Sequence, residues 1–222
     1  MELTMYERIL QLPLFQGLTS QELSEVMAHV RLDFVNFSQG DEIVIQGDVC
    51  KNLIYIISGH VQSEYQDPKG RFILTETLPN MRILEPYNMF GMYQKYSRTY
   101  LFHNDGCTLS IEKRTVLNRL MANNIVKINL LNIVSNRYQQ AQRVMCEYPE
   151  NTVKEKIVKF LLSFASVPKG QKELHIRMTD LGDIIHETRL NVSRTLNALE
   201  DKGLITLQRG GIIIPELQDL YK

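Results

Sequence analysis

Two hydrophobic periods alternate along the chain, and the points where they switch predict its elements. Residues 4–29 read as helical. Leu10, Leu12, Leu14 and Phe15 precede Gly17, and Thr19-Ser20-Gln21-Glu22 offers a cap ahead of Leu23, Val26, Met27 and Val30. From residue 31 the period becomes two. RLDFVNF, EIVIQ, LIYII, HVQSEY, RFILTETL, TYLFH and CTLSI are short β-type runs. Turn chemistry separates them at Gly40, Gly47-Asp48, Ser58-Gly59, Asp67-Pro68-Lys69-Gly70 and Asn104-Asp105-Gly106. Many short strands at regular spacing predict a small β-roll over residues 31–111.

At Glu112 the period turns helical again. No Gly or Pro interrupts residues 124–148, where Leu131, Val134, Tyr138, Ala141, Met145 and Tyr148 alternate three and four apart. That spacing is a seam for a partner helix, giving a self-pairing dimer helix; the alternative is a helix lying on its own β-roll. Pro149 breaks the pattern. A helix over Val153 to Phe164, a short strand ELHI and a helix starting at Met178-Thr179-Asp180 follow. After a break at His186-Glu187-Thr188 comes a second helix, stopped by Gly203, then two β-runs, LITLQ and GIIIP, joined by Arg209-Gly210-Gly211.

Two short helices joined by a tight turn and followed by a β-hairpin predict a winged helix-turn-helix. Leu181, Ile184 and Ile185 of the first helix are expected to pack on Val192, Leu196 and Leu199 of the second. With Thr188 capping it, the second helix projects Arg189, Leu190, Asn191, Ser193 and Arg194 outward, with Asn197 one turn on. Arginine can donate two hydrogen bonds to guanine O6 and N7, and Thr188, Ser193 and the helix amides can meet phosphates. Leu190 is either a contact for a thymine methyl or a packing residue. These seven positions, 188–191, 193, 194 and 197, form the expected DNA-reading set.

Charge and composition adjust this picture only slightly. Lysine plus arginine equals aspartate plus glutamate, 25 each, so bulk charge announces no partner. Residues 151–222 carry 11 basic and 9 acidic groups, net +2, leaving the rest net −2. Cys50, Cys107 and Cys146 are scattered, with no CxxC, which argues against a zinc ribbon or an iron–sulfur cluster. The five histidines, His29, His60, His103, His175 and His186, never fall within four residues of one another, and no GxSxG, HExxH or P-loop occurs. A non-enzymatic protein is expected. MELTMYERILQLPLF lacks a signal-peptide pattern and no apolar run approaches a membrane span, so the expected place is the cytoplasm, away from membranes.

TDLGDIIHETRLNVSRTLNALEDKGLI resembles the DNA-binding signature of the cyclic-AMP receptor protein/fumarate–nitrate regulator (Crp/Fnr) family. LFQGLTSQEL and FSQGDEIVIQGDVCKNLIYIISGHV are similar to its opening helix and first roll strands. The resemblance implies an α+β chain: a cyclic-nucleotide-binding-like jelly roll over residues 1–123, a dimerisation helix over 124–148 and a winged helix-turn-helix over 149–222. It implies a homodimeric transcription regulator reading a palindrome through the helix at 188–201, with double-stranded DNA and RNA polymerase as partners. Thr188, Arg189, Leu190 and Arg194 fall where the family contacts DNA. Many members carry glutamate where this chain has Leu190, so the cytosine contact of that glutamate is not implied here.

The effector half departs from the family. Cyclic-AMP-binding members place a Gly-Glu pair and then an Arg-Ser pair around the nucleotide. Here the corresponding positions are Gly91, Met92, Arg98 and Thr99, and Met92 cannot accept the ribose hydrogen bond. Cyclic AMP is therefore disfavoured, and the effector is unidentified. Haem remains an open alternative, with His60, His103, Cys107, Met81, Met89 and Met92 as candidate ligands. Two rival readings stand: a nucleotide-binding-like module acting on a protein partner, and a haem-based gas sensor of the same fold.

Overall fold

The computed structural model describes residues 5–28, 30–78 and 82–221. His29 and Met81 lie outside the described residues. Helices are α1 (Met5–Leu10), α2 (Ser20–Met27), α3 (Lys113–Asn118), α4 (Asn124–Glu147), α5 (Val153–Phe164), α6 (Met178–Ile185) and α7 (Arg189–Asp201). The first eight strands are β1 (Asp33–Phe37), β2 (Glu42–Val44), β3 (Asn52–Ser58), β4 (Val61–Gln66), β5 (Phe72–Leu78), β6 (Ile83–Leu84), β7 (Thr99–Phe102) and β8 (Gly106–Glu112). The last three are β9 (Lys172–Ile176), β10 (Thr206–Gln208) and β11 (Gly211–Ile214). By packing, the described chain divides into two units: residues 5–61 with 82–139, and residues 62–78 with 140–221.

The first unit holds an antiparallel sheet in the order β1-β8-β3-β6 and a β2–β7 pair. Alternation does the work expected of it. Leu53 and Tyr55 of β3 pair with Ile111 and Leu109 of β8, and all four are buried. The described residues 5–28 do not form one helix. Pro13 opens a 3-10 turn, Pro13–Phe15, which seats Leu14 and Phe15 in the core, with the Phe15 ring 6.1 Å from that of Tyr55. The cap at Thr19 forms as read: its hydroxyl accepts from the Glu22 amide (3.2 Å) and the Glu22 carboxylate accepts from the Thr19 amide (2.8 Å). Before α4, the Asn123 side chain accepts from the amides of Ile125 (2.9 Å) and Val126 (3.2 Å), which fixes where the long helix begins.

The second unit is built on strands ordered β10-β11-β9-β5-β4. Here residues 62–78, which three residues separate from the end of β3, supply a hairpin to the C-terminal sheet. β5 pairs antiparallel with β9 from Phe72↔Ile176 to Glu76↔Lys172. Helix α5 takes the bounds its periodicity predicts and starts with a Thr152–Glu155 capping box. Its Phe160 and Phe164 each meet the Phe72 ring edge-on at 5.0 Å. Below them a charged pair, Glu76 and Lys172, is fully enclosed.

Candidate nucleic-acid interface

The angle between α6 and α7 is set by three backbone devices. His186 closes α6 in the left-handed region (φ 57°), and the Glu187 amide donates back to the Gly182 carbonyl (2.8 Å). Gly182 is needed for that approach: a Cβ there would stand 2.7 Å from the Glu187 carbonyl oxygen. Thr188 then caps α7, its hydroxyl accepting from the Asn191 amide (3.2 Å) as the sequence predicts. The Glu187 carboxylate ties the turn down, accepting from Lys156 (2.6 Å) and from the Asn191 side chain (3.2 Å). The Lys156 hydrogen bond, followed by that of Asn191, lowers its pKa, so this contribution to stability is present at neutral pH and is lost as pH falls through the lowered value. At the other end, Gly203 (φ 69°) and Leu204 donate to the carbonyls of Glu200 (2.7 Å) and Leu199 (3.0 Å), a Schellman ending.

The close approach at Gly182 gives a direct test. Gly182→Ala is expected to cost about 1–3 kcal/mol, because the obstructing atom is backbone and cannot swing aside. Urea unfolding measures that loss.

Helix α7 divides its residues by angle. Val192, Leu196 and Leu199 are buried against Leu181 and Ile185 in one cluster, with Ile184 packed on its edge. Leu190, Arg194 and Asn197 fall on another face and are exposed, as are Thr188 and Arg189. Leu190 is 57% exposed, so it stands outside the packed row. Ser193 and Asn191 are half-buried, and the Asn191 amide is turned back to Glu187 rather than outward.

A surface cavity of about 290 Å³ brings Arg189 together with Arg177, which the sequence reading did not single out. Its lining joins Arg177, Met178 and Thr179 at the start of α6, Arg189 at the start of α7, and the Gly210-Gly211 backbone between β10 and β11. Arg177 is held by Asp180 (Nε to Oδ2, 2.8 Å) with most of its side chain in solvent. The signal was a basic residue directly before a predicted helix start. Two guanidinium groups, a hydroxyl and a glycine backbone around one concavity make a place where a phosphate can be received.

The four effector positions share no common environment. Gly91 and Met92 are exposed, Met92 by 93%, whereas Arg98 is buried and Thr99 accepts from the Gln46 amide (3.1 Å). Beside Arg98, the Ser97 amide and hydroxyl both donate to the buried Glu85 carboxylate (2.7 Å each), which also accepts from Tyr100 (2.9 Å). Glu85 sits in the left-handed region (φ 37°) and was not flagged by any sequence pattern. Of the haem candidates, His60, His103 and Met92 are exposed, Cys107 is half-buried and Met89 is buried. Among the described residues no cluster of three His, Cys, Asp or Glu side chains could hold a metal ion, and no helix is long and apolar enough to cross a membrane.

Residues 155–222 match the sequence family described as a Crp-like helix-turn-helix domain. No curated protein sequence matches the chain. Among solved structures, the catabolite activator protein of Thermus thermophilus is 23% identical, with 94% of this chain and 96% of that chain covered, at a TM-score of 0.54. A protein from Eubacterium rectale described as a Crp/Fnr-family transcriptional regulator is 19% identical, with 94% and 95% covered and the same TM-score. The sensor domain of DNR from Pseudomonas aeruginosa is 23% identical over 62% of this chain and 96% of its own, at 0.50. These likenesses establish the fold expected from the sequence, a cyclic-nucleotide-binding-like roll followed by a Crp-like helix-turn-helix.

Proposed function

From a Crp-like helix-turn-helix domain over residues 155–222 on a chain with the Crp/Fnr regulator fold, we propose that this protein is a sequence-specific transcription regulator that binds duplex DNA as a homodimer. The observation that carries this reading is the exposure of Arg194 and Leu190 on one face of α7, together with a cavity at the start of the same helix that gathers Arg189, Arg177 and the β10–β11 turn. That face offers donors for base edges, and the cavity offers donors for a phosphate. Thr188, Ser193 and Asn197 supply further hydrogen-bonding groups along the same helix, with Asn191 bracing the turn. Binding-site selection from random duplexes tests it: a palindromic consensus with half-sites about one helical turn apart is expected, and no enrichment would end the proposal.

Pairing is assigned to α4. Leu131, Tyr138 and Met145 recur every seven residues and are 60%, 67% and 69% exposed, with the half-buried Val134 and exposed Ala141 between them. Three large apolar side chains in one exposed helical row are what a second copy of the same helix covers. Sedimentation of the wild type at micromolar concentration is expected to give a dimer, and Val134→Asp, which puts a charge in the seam, is expected to shift it towards monomer. A wild-type monomer would remove the pairing. In the cell the bound dimer acts on transcription through RNA polymerase, in the cytoplasm. Met92, exposed where the cyclic-AMP-binding members carry a glutamate, argues against cyclic AMP as effector.

A further inference from the structure

In the second unit, the sheet order β10-β11-β9-β5-β4 brings two turns to one end. Gly211 pairs with His175 and Phe72 with Ile176, so the β10–β11 turn and the β4–β5 turn both flank the end of β9 from which Arg177 emerges. The first of these turns lines the cavity with Arg189 and Thr179. The second, Asp67-Pro68-Lys69-Gly70-Arg71, lies three strand spacings away, roughly 14 Å.

This second tip is ordered and basic. The buried Asp67 carboxylate accepts from Arg71 Nε (2.9 Å), Nη2 (3.2 Å) and backbone amide (3.2 Å), and Gly70 donates to the Asp67 carbonyl (2.8 Å). The Lys69 side chain stands exposed at the apex of this braced loop. Its place is on the hairpin that completes the helix-turn-helix sheet, at the same sheet end as the wing.

We propose that the Asp67–Arg71 tip is a second wing, in which Lys69 meets a DNA backbone phosphate outside the segment read by α7. The inference rests on the DNA-binding reading and extends its footprint. The separation of roughly 14 Å is longer than the spacing of adjacent phosphates, so the two turns touch different phosphates. Because Lys69 donates to backbone and not to base edges, it strengthens binding without changing which bases are preferred.

Fluorescence anisotropy of full-length protein on its selected duplex, across a salt series, tests this with Lys69→Ala, Lys69→Glu and the exposed control Lys95→Ala. Each phosphate contact contributes about 0.9 to the slope of log affinity against log salt, so Lys69→Ala in a dimer is expected to lower the slope by about 2 and weaken binding roughly tenfold. Lys69→Glu should weaken it further, Lys95→Ala should match wild type, and the ranking of mismatched duplexes should not change. Wild-type slope and affinity in both Lys69 variants, or equal losses in Lys95→Ala, overturn the second wing. If Arg194→Ala abolishes binding while the Lys69 variants behave as wild type, only this inference falls. If no duplex is selected at all, the regulator reading fails instead.

Discussion

Arg194→Ala is expected to weaken binding to the selected palindrome by roughly thirtyfold or more, and to relax base preference at one symmetric pair of positions. A bidentate arginine–guanine contact discriminates by about 1–3 kcal/mol, and a dimer loses two of them at once. Arg189→Ala should behave differently. Arg189 lines the cavity with Thr179 and the Gly210-Gly211 backbone, a phosphate-type setting, so its loss should weaken all duplexes alike and reduce the salt slope. Lysine separates the two roles further: Arg189→Lys should keep most of a phosphate contact, whereas Arg194→Lys should lose the paired geometry. Both side chains are exposed, so thermal unfolding should stay close to wild type, within about 0.5 kcal/mol. Anisotropy against a panel of single-position duplex variants measures all of this. Retention of wild-type affinity and base ranking in Arg194→Ala would remove α7 from the reading role.

Much of the helix-turn-helix scaffold was legible because it is locally encoded. The Thr188 cap, the break at 186–188, the stop at Gly203 and the apolar row of Val192, Leu196 and Leu199 each depend on residues within one or two turns of each other. Leu190 was ambiguous for the same reason: it neighbours that row in sequence, and only the helix angle shows that it points elsewhere. Arg177 was missed as a neighbour of Arg189 because the cavity is closed by pairing of β9 with β11, which brings Gly210 beside Arg177 across more than thirty residues. The split within residues 5–28 follows from Pro13, which was visible, but whose 3-10 turn is decided by burial of Leu14 and Phe15. Glu85 illustrates the opposite case. Its carboxylate accepts from Ser97 and Tyr100, more than ten residues downstream, as well as from Asn88 three residues on, so most of its setting is supplied from outside its own segment.

The strand pairing of β5 with β9 was equally hidden, although one clue to it lay in the alternation. Phe72, Leu74, Glu76 and Leu78 share one face of β5, and Lys172, Leu174 and Ile176 share one face of β9; in each row a charged residue occupies an apolar parity. Those two residues find each other: Lys172 Nζ lies 3.3 Å from Glu76 Oε2, with neither side chain exposed. The lysine also donates to the carbonyls of Lys169 (2.7 Å) and Gly170 (3.3 Å), while Glu76 accepts from the Ser166 amide (2.6 Å) and the Ser63 hydroxyl (3.3 Å). Lys172→Met is therefore expected to destabilise the second unit by about 3–5 kcal/mol, since it strands a carboxylate in an apolar interior. Replacing both partners, with Lys172→Met and Glu76→Leu together, should recover part of that loss: the desolvation cost of both charges disappears with their attraction, while the Ser166 amide and the Lys169 and Gly170 carbonyls lose their partners. Urea unfolding gives the energies, and hydrogen exchange should show the amides of β5 and β9 losing protection together in the single variant. The mechanism is specific about where the cost lies. If Lys172→Met alone unfolds like wild type, the pair is not what holds the hairpin to the sheet, and the β5–β9 ladder and the packing of Phe72 on Phe160 and Phe164 carry that role by themselves.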